Sequence, residues 1–174
     1  MTFRRTAFVL LLLICSVGIS AKSHSATWRQ ATEKEMTALI PARAPVVSER
    51  IETEARTASG VTDGQGKFIA AVVLITAGYS AEGKYSHFFI TQVPVKIGDM
   101  DLKAGEYVFG YKRADDESLE VKFYQARNGN LLGSIKAQIG IKSGPIHSLL
   151  ITPPNGDKFT VQIGRYAFDC KLAG

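Results

Sequence analysis

The chain has 174 residues, with 21 Lys and Arg against 16 Asp and Glu and a formal net charge of +5. Arg4, Arg5 and Lys22 precede Ala26 and no acidic residue does, so a chain cut after Ala26 keeps 18 basic and 16 acidic residues, a net charge of +2. A charge this close to balance attracts polyanions weakly, which argues against nucleic acid as a partner. The remainder, about 150 residues, is enough for one domain with a sizeable core.

Residues 1–26 have the layout of a secretory signal peptide. An arginine pair forms a positive n-region, residues 7–14 are apolar, and small residues follow. The apolar run is too short to cross a bilayer as a helix. We expect cleavage near Ala21 or Ala26 and an exported protein, periplasmic or extracellular, with no transmembrane span in the mature chain.

The two cysteines are Cys15 and Cys170, and only Cys170 remains after cleavage. An intramolecular disulfide is therefore excluded in the mature protein, and the core must supply its stability. A lipid anchor on Cys15 is not expected, because Ile14 stands where lipoprotein signals have a small residue. Cys170 alternates with Phe168 on an apolar strand face, which predicts a packed thiol.

Residues 27–59 predict an N-terminal helix and a connector that pack on a sheet. A short amphipathic helix ends before Pro41, and its start is open because Thr32 and Glu35 fit a capping box inside the pattern. The sequence PARAPVV follows as a connector. In ERIETEARTASG apolar residues alternate with charges, which favours a strand over a helix.

Residues 60–174 predict an antiparallel β domain. Runs rich in β-branched and aromatic residues are separated by Gly, Asp, Asn or Pro, a spacing typical of sandwiches and barrels. The runs are KFIAAVVLITAGY, YSHFFITQVPVKI, GEYVFGYKR, SLEVKFYQA, LLGSIKAQI, IHSLLIT, KFTVQI and RYAFDCKL. We predict an all-β fold, an antiparallel Greek-key sandwich or a partly closed barrel, with a short N-terminal helix.

Two turns fix a testable strand register. A turn at ADDES places Phe109 opposite Phe123, and a turn at ARNGN places Phe123 near Gly133, with Gly129 in the left-handed position of a three-residue loop. Aromatic beside glycine is favourable cross-strand packing. The opposite face should be polar, include an ion pair between Lys112 and Glu120, and face water. Its members are Lys112, Lys122, Tyr124, Lys136 and Gln138.

The strand at residues 68–77 is apolar on both faces, and its neighbour at residues 85–93 is nearly so. Such strands must be covered on both sides. The main core covers one side. The N-terminal helix is the cover we expect on the other side, and a partner subunit or a bound ligand are the alternatives.

The stretch LKAGEY, residues 102–107, resembles the tyrosine corner of Greek-key sandwiches, in which a tyrosine hydroxyl bonds a backbone group upstream. It is similar to stretches in transthyretin-like and carboxypeptidase-regulatory-like modules, which are usually binding or structural units. The resemblance implies that Leu102 enters the core, Gly105 makes a tight turn and Tyr107 holds it. It implies no active site.

Groupings that carry catalysis are sparse. His87 lies between apolar neighbours and is expected to be packed and neutral, while His147 is expected near a strand start, able to face solvent. There is no Gly-x-Ser-x-Gly elbow and no phosphate-binding loop. The acidic sequences GDMD and ADDE are expected to be solvated turns rather than calcium loops. We therefore assign no catalytic, cofactor-binding or metal-binding residues and expect no cofactor.

The sequence predicts a non-catalytic exported protein that acts in binding or assembly, possible partners being a second copy or another protein. The alternative is a carrier of a small apolar ligand in the interior of a barrel. A hydrolase built from loop acids and His147 is a third, less favoured hypothesis. The aromatic residues that would line the carrier's cavity are Phe68, Phe88, Phe89, Phe109, Tyr111 and Phe123.

Overall fold

The computed structural model describes residues 27–140 and 144–173. The predictions for the signal peptide, its cleavage and Cys15 fall outside these ranges. Strands make up 58% of these described residues and helices 8%. The elements in chain order are β1 (Arg29–Gln30), α1 (Glu33–Leu39), β2 (Arg43–Val46), β3 (Glu49–Thr62), β4 (Phe68–Leu74), α2 (Gly78–Ala81), β5 (His87–Thr91), β6 (Val95–Ile97), β7 (Met100–Leu102), β8 (Gly105–Arg113), β9 (Ser118–Gln125), β10 (Leu131–Ile139), β11 (His147–Ile151), β12 (Lys158–Gly164) and β13 (Tyr166–Leu172).

The strands form one large antiparallel sheet that curls into a half-barrel. Along the sheet the order is β1-β3-β4-β5-β8-β9-β10-β13-β12-β11, with the β6–β7 hairpin paired to β13 and β2 paired to β3. The predicted all-β class is confirmed, and the partly closed barrel is the architecture that applies. The strand that follows β2 is also as predicted, because the charged segment after PARAPVV is β3.

The two ends of the curled sheet meet at β3 and β11. Here the backbone N–H of Ile151 donates to Ser59 Oγ at 2.9 Å, a buried bond between residues far apart in sequence. Ser59 Oγ thus replaces the backbone carbonyl oxygen that would accept this bond in a regular strand pair. It links the last strand of the sheet to β3 and helps to hold the sheet in its curled form.

The concave face of the sheet encloses the inner core. Phe89, Phe109, Phe123 and Phe168 lie at its centre, with ring centroids 5.0–6.3 Å apart and mostly edge-to-face geometry. Edge-to-face rings at these distances attract one another beyond the gain from burial alone. Cys170 is 1% exposed in this core, so the predicted packed thiol is confirmed, and burial raises the pKa of that thiol.

A second hydrophobic layer, the outer core, lies on the convex face of β4, β5 and β8. Val72, Phe88 and Val108 point into it, while Ile69 and Phe89 on the same strands point into the inner core. The residues that cover it are Leu39 and Ile40 at the end of α1, Ala44 and Val46 of β2, Ile51 of β3, and Tyr79 and Tyr85 of the β4–β5 connection. The predicted helix cover is therefore correct but incomplete, because the segment read as a connector is strand β2. We call residues 33–51 the N-terminal cover.

The capping box decides where α1 begins. Thr32 Oγ1 accepts from the backbone N–H of Glu35 at 3.3 Å, and the Glu35 carboxylate accepts from the backbone N–H of Thr32 at 2.8 Å. Residues before Thr32 are extended, and β1 pairs with the end of β3. The helix therefore lacks Trp28, and its one fully buried side chain is Met36.

Strand β3 runs through residue 60, where the sequence analysis placed the boundary between connector and β domain. A large bulge interrupts its pairing with β4, because Glu54 faces Val73 but Ser59 faces Ala71. Thr57 repairs the gap: its hydroxyl accepts from the backbone N–H of Val73 at 3.0 Å and donates to the Glu54 carbonyl at 2.7 Å. The N-terminal cover and the barrel thus share one continuous strand.

The predicted register of β8, β9 and β10 is confirmed. Phe109 pairs with Phe123, and Phe123 with Gly133. Gly129 has φ +71, as the left-handed loop position requires, and an added Cβ would lie 2.6 Å from the Tyr85 hydroxyl. The prediction that Tyr124 belongs to the water-facing side is wrong. Tyr124 is 8% exposed, because it packs edge-to-face on Tyr85 in the outer core.

The expected ion pair on that face also has a different partner. Lys112 and Glu120 face each other in the ladder, but Glu120 Oε2 lies 3.2 Å from Lys122 Nζ. The aliphatic stem of Lys112 instead packs against Gly83 of the β4–β5 connection.

The bond expected of the tyrosine corner is present. Tyr107 Oη donates to the carbonyl oxygen of Lys103 at 2.8 Å, and Leu102 is buried. The role expected of Gly105 is wrong: it begins β8 without a positive φ, and an added Cβ would lie 3.6 Å from the Tyr107 hydroxyl, an ordinary contact.

We predict that Tyr107→Phe lowers the free energy of unfolding by about 1 kcal/mol, because the ring stays packed and one hydrogen bond is lost. Urea unfolding of the variant gives this value. Tyr124→Phe is the control, since the Tyr124 hydroxyl bonds no other described residue. Equal stabilities of the Tyr107→Phe variant and the parent protein would show that the corner bond contributes nothing.

Glycine is required at Gly110 in the middle of β8. Backbone of the β4–β5 connection crosses the convex face here, and an added Cβ would overlap the carbonyl oxygen of Lys84 and lie 2.6 Å from that of Gly83. We predict that Gly110→Ala costs about 1–3 kcal/mol through overpacking. Gly105→Ala on the same strand should be nearly neutral. Matching urea midpoints for the two alanine variants would contradict this packing.

Candidate functional site

The candidate site is a cleft at one end of the half-barrel, and we call this end the mouth. Strands β4, β8 and β12 end here, and β5, β9 and β13 begin here. The cleft has a volume of about 800 Å³. Its lining residues are Val73, Leu74, Ser80, Ser86, His87, Tyr111, Lys112, Arg113, Leu119, Ile146, Ser148, Ile163, Gly164, Arg165 and Tyr166. We call it the mouth cleft.

Five of the residues that line the mouth cleft are aliphatic: Val73, Leu74, Leu119, Ile146 and Ile163. Leu119 and Ile163 belong to the inner core and Leu74 to the outer core, all three buried, while Ile146 in the turn before β11 is 52% exposed. A ligand chain laid in the cleft would therefore meet apolar surface from several strands.

The charges in the cleft have one sign. Lys112, Arg113 and Arg165 line it, and no carboxylate of the described residues does. Arg113 Nη2 donates to the Tyr166 hydroxyl at 3.2 Å, which draws the guanidinium toward the start of β13. The nearest carboxylate to Arg113 is that of Asp116, at 3.8 Å and fully exposed, a pair of little strength in water. The mouth cleft thus presents positive charge beside apolar walls.

His87 lies at the floor of the cleft, packed as the sequence predicts. It is 3% exposed and stacks on Phe109, with ring centroids 4.6 Å apart and planes 6° apart. Ser86 Oγ lies 2.9 Å from His87 Nδ1 and donates to the Phe109 carbonyl at 3.2 Å. Because the serine has a single proton, the bond to the carbonyl leaves Oγ to accept from Nδ1–H. His87 Nε2 is then an unprotonated acceptor, buried with no partner among the described residues.

Burial lowers the pKa of His87 to about 3, because the imidazolium form would lose its hydration. The ring is therefore neutral across the physiological range. It cannot supply the positive charge of the mouth cleft, which comes from the lysine and arginine side chains alone.

The remaining residues considered at the sequence level are not brought together into a site. His147 is exposed at the start of β11, and the acids of ADDE lie in the exposed β8–β9 turn, where Asp115 pairs with Lys136 at 3.0 Å. Asp99 lies in the β6–β7 turn, but Asp101, expected in the same turn, lies in β7 opposite Lys96; both line a cleft of about 670 Å³ near Tyr107. Within residues 27–140 and 144–173, no cluster of three or more His, Cys, Asp or Glu side chains is arranged to hold a metal ion.

The aromatic residues expected to line a carrier's cavity are divided between the two faces of the sheet. Phe89, Phe109 and Phe123 fill the inner core, Phe88 points into the outer core, and Tyr111 lines the mouth cleft. Phe68 is half-buried at the start of β4. These residues therefore do not surround one cavity.

Sequence reasoning missed the cationic residues of the mouth. Arg113 and Arg165 each lie at a strand end beside a turn, where charged residues are common and carry no signal alone. The fold brings the two arginines to the same end of the sheet, and this placement can be known only from the strand order. The alternation in GEYVFGYKR does place Arg113 on the same face as Phe109, a signal that could have identified it.

Comparison of the chain with known proteins gave no match to a protein-family model, a curated protein or a solved structure. The two helices in the described part of the chain have seven and four residues, and neither has the length or the apolar character needed to cross a membrane.

We predict that His87 makes the protein less stable in mild acid. The unfolded chain binds a proton near pH 6.5 and the folded protein only near pH 3. The free energy of unfolding is therefore highest above pH 6.5, and it falls below that pH by up to about 1.4 kcal/mol per pH unit. Urea unfolding between pH 6.5 and 5.5 measures this slope above the range where most carboxylates titrate.

His87→Phe keeps the ring stack on Phe109 and removes the titrating group, so its stability should depend less steeply on pH in this window. His147→Gln is the matched control, because it removes a histidine that lies exposed at the start of β11 and leaves His87 in place. A slope in the His87→Phe variant as steep as that of the parent would overturn the assignment.

Proposed function

We propose that this chain is an exported, non-catalytic binding protein whose ligand site is the mouth cleft. The observation that carries the proposal is the combination, in one cleft of about 800 Å³, of aliphatic side chains with polar and cationic groups. Small-molecule sites generally have this size and combine apolar surface with polar groups that orient the ligand. Export remains an expectation from the first 26 residues.

Two features favour the mouth over other parts of the molecule as the ligand site. The inner core is filled by its own rings, so a ligand deep in the barrel would have to displace them. The convex apolar face, which suggested a partner subunit or a ligand in the sequence, is occupied by the N-terminal cover. The mouth cleft is open and leaves apolar side chains accessible.

Ser148→Trp tests the proposal. Ser148 is exposed in the lining of the mouth cleft, so an indole there should fill the space that a ligand needs. Ser134→Trp is the matched control, placed on an exposed site of β10 that lines the cleft near Tyr107 and not the mouth cleft. The probe is N-phenyl-1-naphthylamine, an uncharged dye whose fluorescence rises in apolar surroundings. Circular dichroism melts establish that both variants fold.

The proposal predicts saturable dye binding by the parent protein and by Ser134→Trp, and binding at least about ten-fold weaker by Ser148→Trp, because loss of the apolar contacts costs more than 1.4 kcal/mol. Absence of saturable binding, or equal binding by all three proteins, would refute the mouth cleft as a ligand site.

A further inference from the structure

We infer that the ligand of the mouth cleft is an aliphatic anion: a hydrocarbon chain with a carboxylate or phosphate headgroup. The inference deepens the proposed function and rests on it. The headgroup would contact the arginine side chains of the cleft, and the hydrocarbon chain would contact its aliphatic side chains.

The headgroup would be held by the two arginines. Arg113 at the end of β8 and Arg165 in the β12–β13 turn both line the cleft. Guanidinium groups bind carboxylate and phosphate oxygens through paired, charge-assisted hydrogen bonds. The Tyr166 hydroxyl, which accepts from Arg113, keeps its own proton for a headgroup oxygen. These donors lie on neighbouring turns of one end of the sheet.

The chain would be held by the aliphatic side chains. Leu119 and Ile163 of the inner core line the cleft, and the exposed Ile146 lies beside them in its lining. Ile146 is one of several large apolar side chains of the described residues that are exposed to water, and it is the one that lines this cleft. Contact with a hydrocarbon chain would remove both surfaces from water.

The signs of the charges exclude the opposite class of amphiphile. A cationic headgroup would meet three like charges and no carboxylate among the described lining residues. His87 is neutral at pH 7, so it neither adds to the positive charge nor repels a chain that lies over it. An uncharged amphiphile would gain the wall contacts but not the headgroup bonds.

Isothermal titration with four ten-carbon compounds below their micellar concentrations tests the inference: decanoate, decyl phosphate, decanol and decyltrimethylammonium. At least one anion should bind about ten-fold or more tightly than decanol, because hydrogen bonds to charged groups exceed 1.4 kcal/mol. Decyltrimethylammonium should bind most weakly. Whether decanoate or decyl phosphate binds more tightly separates a fatty acid from a phosphorylated ligand.

The double variant Arg113→Gln/Arg165→Gln should bind the anions no better than decanol, while its affinity for decanol stays that of the parent. The matched control is Lys158→Gln/Lys171→Gln, which removes two exposed charges from paired residues at the far ends of β12 and β13. It should keep the preference for anions.

The outcomes separate the two proposals. Equal binding of anions and decanol by the parent protein would overturn the inference and leave the mouth cleft as a binding site. Equal loss of anion binding in both double variants would overturn it as well, since net charge rather than the arginines would then be responsible. Failure of all four compounds to bind would overturn the inference, and failure of the naphthylamine dye as well would overturn the proposed function with it.

Discussion

The structure depends on one constraint: strands β4 and β5 are apolar on both faces. Side chains of β4 point alternately into the inner core and the outer core, and the same holds for Phe88 and Phe89 of β5. Leaving either face in water would forfeit roughly 25 cal/mol for each Å² of apolar surface. A sheet with two hydrophobic faces therefore needs two covers, and the chain supplies both by curling the sheet and by folding residues 33–51 across its convex side.

The two covers leave the mouth cleft open to water. The curl fills the concave side with packed phenylalanines, and the N-terminal cover occupies the convex side. Strand ends at the mouth cannot be covered in the same way, because the turns there carry Arg113, Arg165 and acidic residues that require water. The mouth cleft is thus a consequence of how the sheet closes, and its positive charge follows from which side chains the turns provide.

Contacts between neighbouring strands, and bonds within a few residues, could be predicted from the sequence. The register of Phe109, Phe123 and Gly133 follows from two turns, and the Tyr107 bond spans four residues. Contacts between segments far apart in the chain could not be predicted. Tyr124 alternates with polar residues and reads as exposed, but Tyr85, from another part of the chain, covers it. Strand β2 contains Pro45, so its sequence pattern predicts a connector. Proline is tolerated in this strand because an edge strand has an unpaired side.

Hydrogen exchange of individual amides, followed by NMR, tests most directly whether the N-terminal cover belongs to the folded core. The backbone N–H of Val47, within the cover, bonds the Ala126 carbonyl at 2.7 Å, and that of Ala31, two residues before the cover, bonds the Gly60 carbonyl at 2.8 Å, so the chain is tied to the sheet on both sides of α1. The account predicts that these amides exchange within about ten-fold of the rates of β5, because they open only with the sheet. Exchange at unfolded-chain rates while β5 stays protected would contradict it.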